Sequence, residues 1–88
     1  MSQQTEYAIS LVHVLLPKNS GVQRVHISVS NGLEIVSTEA HKQIKNGRAN
    51  YFRETLFLPE SPRGLTFTLF DASNGSLRLL KEWDVRPE

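Results

Sequence analysis

Eighty-eight residues, 39% hydrophobic and 22% charged, are enough for one small globular domain, too few for two and too apolar for a disordered chain. A formal net charge of +1 provides no field to draw the whole molecule toward nucleic acid or membrane. The absence of cysteine excludes a disulfide scaffold, a thiolate nucleophile and a cysteine zinc site.

The first six residues are polar, with no basic region followed by an apolar stretch. They are expected to form a flexible N-terminal segment, with residues 7–88 as a single β-domain of a soluble, cytoplasmic protein. The first run, Tyr7 to Leu16, is apolar on both faces, as a central strand covered on both sides would be. Lys18-Asn19-Ser20-Gly21 is a turn signal. The second run then alternates, with Val25, Ile27 and Val29 opposed to Arg24, His26, Ser28 and Ser30. Asn31-Gly32, Asn46-Gly47 and Asn74-Gly75 have the composition of type I′ hairpin turns, in which both central residues need φ > 0.

After the extended Glu34-Ile35-Val36, residues 38–46 fit either an irregular edge strand or a short helix, with Ser37 or Thr38 as N-cap and Gly47 closing its C-terminus. The fourth run sets Phe52, Leu56 and Leu58 against Tyr51, Arg53 and Thr55. The fifth alternates Leu65, Phe67 and Leu69 with Thr66 and Thr68. In the sixth, Leu77, Leu79, Trp83 and Val85 share a face with Lys81, opposite Arg78, Glu82 and Asp84. Six strands and five turns predict an all-β fold, an antiparallel six-stranded β-sandwich or a partly open barrel.

Ala49-Asn50-Tyr51-Phe52-Arg53-Glu54-Thr55-Leu56-Phe57-Leu58 resembles the central signature of the C2 domain family, an Asn-Pro-x-aromatic-Asn-Glu run leading into an alternating strand. Leu65 to Asp71 is similar to that family's next strand, which ends in an aspartate at a loop, and Gln23 to Val29 to an earlier one. C2 domains hold calcium with several loop aspartates. Here only Asp71 occupies such a position, Ser73 stands where a second is expected, and Ala49-Asn50 replaces Asn-Pro. The resemblance therefore implies a reduced, calcium-independent C2-like β-sandwich that docks onto proteins or adheres to membranes.

His41, Lys42, Lys45, Arg48 and Arg53 form a basic stretch without Asp or Glu. Lys42, Lys45, Arg48 and Arg53 are candidates to meet anionic lipid or an acidic partner, beside the plainer role of a solvated edge protected from aggregation. His13, His26 and His41 lack the close spacing of zinc ligands, although His13 and His26 would face each other if the first two strands paired. No nucleophile lies in a catalytic pattern, and a Glu54–Asp71 acid–base pair would need a concave site that a thin β-domain rarely builds. Tyr51, Phe57 and Phe70 lie off the main apolar faces and are candidates for a partner-binding patch. The expectation is a non-enzymatic interaction module with no cofactor or metal. It would dock to another protein or its own copy, with peripheral anionic-lipid binding and β-strand addition to a larger complex as alternatives, and nucleic acid disfavoured.

Overall fold

A computed structural model describes residues 5–11, 13–38 and 42–86. Among the described residues there is no helix, and the nine strands pair only antiparallel. They are β1 (Glu6–Ser10), β2 (His13–Leu15), β3 (Arg24–Ser30), β4 (Ile35–Ser37), β5 (Lys42–Gln43), β6 (Ala49–Tyr51), β7 (Thr55–Pro59), β8 (Leu65–Asp71) and β9 (Arg78–Val85). The six expected runs become nine strands because the first, third and fourth are each interrupted.

β1–β7 and β2–β6 are successive lengths of one ribbon. Ser10 faces Thr55, and the next pair is His13 with Tyr51, so three residues on one chain oppose two on the other. The surplus residue makes a bulge, which the Leu11 amide spans by donating to the Glu54 carbonyl at 3.1 Å. Phe52 enters the core there while its neighbours Tyr51 and Arg53 stay exposed. The larger sheet has the order β4-β3-β8-β9, with β5 following β4 along the same edge of β3. The irregular-edge reading of the third run thus holds for Ile35–Ser37 and Lys42–Gln43. Residues 39–41, and with them His41, lie outside the described residues.

The ribbon packs across the apolar face of the larger sheet, and the core is two clusters stacked along a body of 51 × 21 × 21 Å. Val22, Val25, Ile27, Ile44, Phe52 and Leu69 form the first. Ile9, Val29, Leu56, Leu58 and Leu65 form the second, and Leu11 packs against both. Val25, Val29 and Leu58 have no exposed surface. Each such side chain contributes roughly 1.5–3 kcal/mol by leaving water.

Four expectations are corrected. The first run is no central strand: β1 and β2 each pair on one side only, and among the described residues nothing packs over Ala8 and Leu15, which are exposed. His13 and His26 do not face each other, because β2 pairs β6 and β3 pairs β8; their ring neighbours are Tyr51 and Phe70. A register shift between Leu69 and Phe70 sets Leu79 opposite Phe70 on the outer face and turns Leu80 toward the core, so Leu79 does not share a face with Trp83.

The fourth correction concerns the Asn-Gly pairs. Among the described residues only glycines have positive φ, so none of the three pairs is a type I′ turn. Asparagine side chains do the bracing instead. Asn31 accepts from the Leu33 and Glu34 amides at 2.9 and 2.7 Å, and donates to the Pro59 carbonyl at 2.8 Å. That last bond ties the end of the larger sheet to the end of the ribbon.

Candidate functional site

The ribbon is two strands wide and the sheet under it is four, so the sheet's inner face runs past the ribbon on the β9 side. Among the described residues no strand pairs with the far edge of β9 or with the far edges of β1 and β2. Trp83 stacks on Phe67 at 5.6 Å between ring centroids and nearly parallel, at 11°, yet remains 39% exposed. Val85 is exposed to the same degree. Alternation puts both on the core-facing side, and only the missing cover explains their exposure.

Between β2 and β9 this leaves an open groove of about 450 Å³. Leu15, Leu16, Val22, Leu80 and Trp83 are its main apolar walls, and His13, Ser20 and Lys81 its polar groups. The Lys81 ammonium stands 6.0 Å from the centre of the Trp83 ring. A smaller space of about 150 Å³ shares His13, Val14, Leu69 and Trp83 with it and reaches Phe52 and Ile27. On the outer side of β9 both carboxylates are committed: Thr66 donates to Asp84 at 2.8 Å and Thr68 to Glu82 at 3.4 Å.

One end of the groove is built by two stitched loops. The Ser20 hydroxyl donates to Asn46 Oδ1 at 2.6 Å, Asn46 Nδ2 donates to the Val22 carbonyl at 3.0 Å, and the Gly47 amide donates to the Leu16 carbonyl at 2.7 Å. Asn50 fixes the second loop by accepting from the Lys45 amide at 2.7 Å and donating to the Lys45 and Arg48 carbonyls at 2.9 and 3.0 Å. Gly47 has φ +81°, and a Cβ there would stand 2.5 Å from Lys18 Cγ, so the Lys18 stem lies directly over it. Lys18 and the loop that carries Lys45 and Arg48 therefore adjoin at this end, with all three residues exposed. No acidic residue occurs from 7 to 33 or from 40 to 53.

The other two expected basic residues lie on different elements. Lys42 lies on the β5 edge with its ammonium 5.4 Å from the Phe52 ring centre, and Arg53 is exposed at the ribbon bulge. The apolar candidates occupy different surfaces. Tyr51 is exposed and tilted against His13 at 5.5 Å. Phe57, exposed opposite Ala8, faces away from the core on the ribbon. Phe70 is half-buried on the opposite outer face, 6.2 Å from His26.

Asp71 does not present its carboxylate to an ion. It is buried, accepts from the Ser73 hydroxyl and amide at 2.5 and 2.9 Å, and pairs with Arg78 at 3.0 Å. These bonds, those from Ser73 first, hold its pKa below the ordinary 3.8. Among the described residues no three His, Asp or Glu gather as a metal site would require.

Sequence reasoning passed over Lys18 and placed Trp83 on the apolar face of the sixth run without marking it as a site. Nothing local signals the stitching that brings Lys18 to Lys45. A signal for Trp83 did exist: Lys81 shares its face, and an inward charge on an apolar strand face marks an uncovered edge. No family model matches the chain, and neither the curated proteins nor the solved structures contain a match.

Proposed function

We propose that this chain is a non-enzymatic docking module that receives an extended segment of another protein along the open side of its two layers. The observation that carries the reading is the half-exposed inner face of β9, where Trp83 and Val85 point toward a core layer that stops short of them. A strand added to β9 would satisfy its unpaired amides and carbonyls, and its inward side chains would fill the groove over Leu80 and Trp83. β9 is eight residues long, about 27 Å of ladder, which is ample for such an addition.

Charge makes a second copy a poor occupant. Two-fold antiparallel pairing of β9 with itself must centre on one residue. Centred on Lys81 it opposes two lysines, on Glu82 two glutamates, and on Trp83 it sets Glu82 against Asp84 twice. The one favourable centre, Leu80, which would set Arg78 against Glu82, falls on the bulge that breaks the strand's alternation. A different chain has no such constraint. On this reading the likeness to C2 domains is to their calcium-independent, protein-docking members, since Asp71 is already bonded to Ser73 and Arg78.

The test is selection of a displayed library of random twelve-residue peptides on the full chain, with the winners mapped by amide chemical shifts on isotope-labelled protein. Docking predicts shifts concentrated in β9 and at His13 to Leu15, with a change in emission from Trp83, the single tryptophan. Peptides that perturb only other surfaces would overturn the reading. So would a stable dimer by light scattering whose interface covers Trp83.

A further inference from the structure

We infer that the segment seated along β9 is acidic at its C-terminal end. This rests on the docking reading above and adds the partner's chemistry and polarity. β9 runs from Arg78, at the end of the molecule holding the stitched loops, toward Val85 at the other. Its first residue lies opposite Asp71, and Asp71 lies opposite Val25. Val25 and Val22 belong to the core cluster beside the loops that carry Lys18, Lys45 and Arg48. Every described strand pair is antiparallel, and a strand added to β9 in that sense has its C-terminus at the end of the molecule that carries these three exposed cations.

The groove itself carries the same sign. Its lining contains the ammonium of Lys81 and no carboxylate. The acidic residues of β9, Glu82 and Asp84, are turned to the outer face and bonded by Thr68 and Thr66. Asp71, the carboxylate at the loop end, is already paired with Arg78, while Glu34 and Glu60 lie at the opposite end, where the Glu60 amide donates to the Thr5 carbonyl and the Asn31 amide to the Glu34 carbonyl. A segment with alternating apolar residues over Leu80 and Trp83, one carboxylate within reach of Lys81, and further Asp or Glu past its last apolar residue matches the cations in the groove and at its loop end. The opposite charge order would set basic residues against Lys18, Lys45 and Arg48.

The peptide selection decides this when repeated on a triple variant, Lys18→Glu, Lys45→Glu and Arg48→Glu. All three positions are exposed, so the fold is retained, and far-ultraviolet circular dichroism verifies it. The expected result is an excess of Asp and Glu in the C-terminal third of the wild-type winners. Those peptides lose about tenfold in affinity on the variant, the sum of three exposed charge pairs, and lose a similar factor in high salt. Winners that map to β9 without an acidic bias, or that bind the variant equally well, overturn the inference and leave the docking reading standing. Winners with no dependence on β9 overturn both. Vesicles of phosphatidylserine and phosphatidylcholine form the control arm. Binding there that disappears in the triple variant, with no acidic bias among peptides, would assign the basic end to a lipid surface and overturn the inference.

Discussion

Asn31 offers the sharpest check on how the two layers are held together. It is 2% exposed, braces its own turn through the Leu33 and Glu34 amides, and reaches across to the Pro59 carbonyl. Asn31→Ala removes all three bonds. Leu33 and Glu34 are exposed, so their amides recover water, and the net cost is about 2 kcal/mol at roughly 1 kcal/mol per unreplaced bond plus a small cavity. Asn31→Asp keeps both local acceptances and the shape, but loses the donor. It strands a partly buried carbonyl and places a carboxylate oxygen against it at a spacing now 2.8 Å, with a cost of about 2–4 kcal/mol. The isosteric change should therefore be no milder than the truncation. A domain this size has roughly 4–13 kcal/mol in total, so either loss is easily read from urea unfolding followed by Trp83 fluorescence and circular dichroism. An aspartate variant within about 0.5 kcal/mol of the parent would refute the cross-layer bond as a structural tie.

Leu58→Ala empties the centre of the second cluster and should cost about 3–4 kcal/mol in the same urea assay; a cost under about 1 kcal/mol would contradict its full burial. Asp71 has its pKa lowered below 3.8, so the unfolded chain takes up that proton first as pH falls. The stability it supplies is present above about pH 4 and is lost as pH falls through the folded value, and Asp71→Asn should flatten this acid limb in thermal melts between about pH 5 and pH 2. Gly47→Ala forces a Cβ at φ +81° into the Lys18 stem and should cost about 1–2 kcal/mol, measured as a drop in denaturation midpoint. Arg53→Glu, at an exposed position away from the groove, should leave stability within about 0.5 kcal/mol and leave selected peptides binding as before.

Period-two alternation carried much of the fold, because it depends only on each strand having one covered face. Val25, Ile27 and Val29 on β3, and Leu56 and Leu58 on β7, lie inward as their spacing requires. The pattern could not locate the bulges, since an extra residue at Arg53 or Leu80 has no composition of its own, and those two irregularities decide where Phe52 and Leu79 point. Nor could it tell a covered inner face from an uncovered one. Trp83 has the same spacing as Phe67 and sits under nothing. The Asn-Gly pairs misled because φ preference is one use of asparagine, and here its side-chain hydrogen bonds prevailed. The basic trio depends on a link between residues 18 and 47, a separation that local reasoning does not cross.

The stacking of the core in two clusters, joined on the ribbon side by Leu11, has a consequence for motion. The second cluster is gripped by five-residue β1 and β7 pairing, whereas the ribbon over the first offers only the three-residue β2 and β6, and the sheet edge there only the two-residue β5. Fluctuations should open the first half of the molecule while the second stays closed, and amides of β2, β5 and β6 should exchange with solvent well before those of β3 and β8. The groove's loop end belongs to the half that breathes. Its width is then set by an equilibrium, and whatever seats itself there also closes the softer half of the protein.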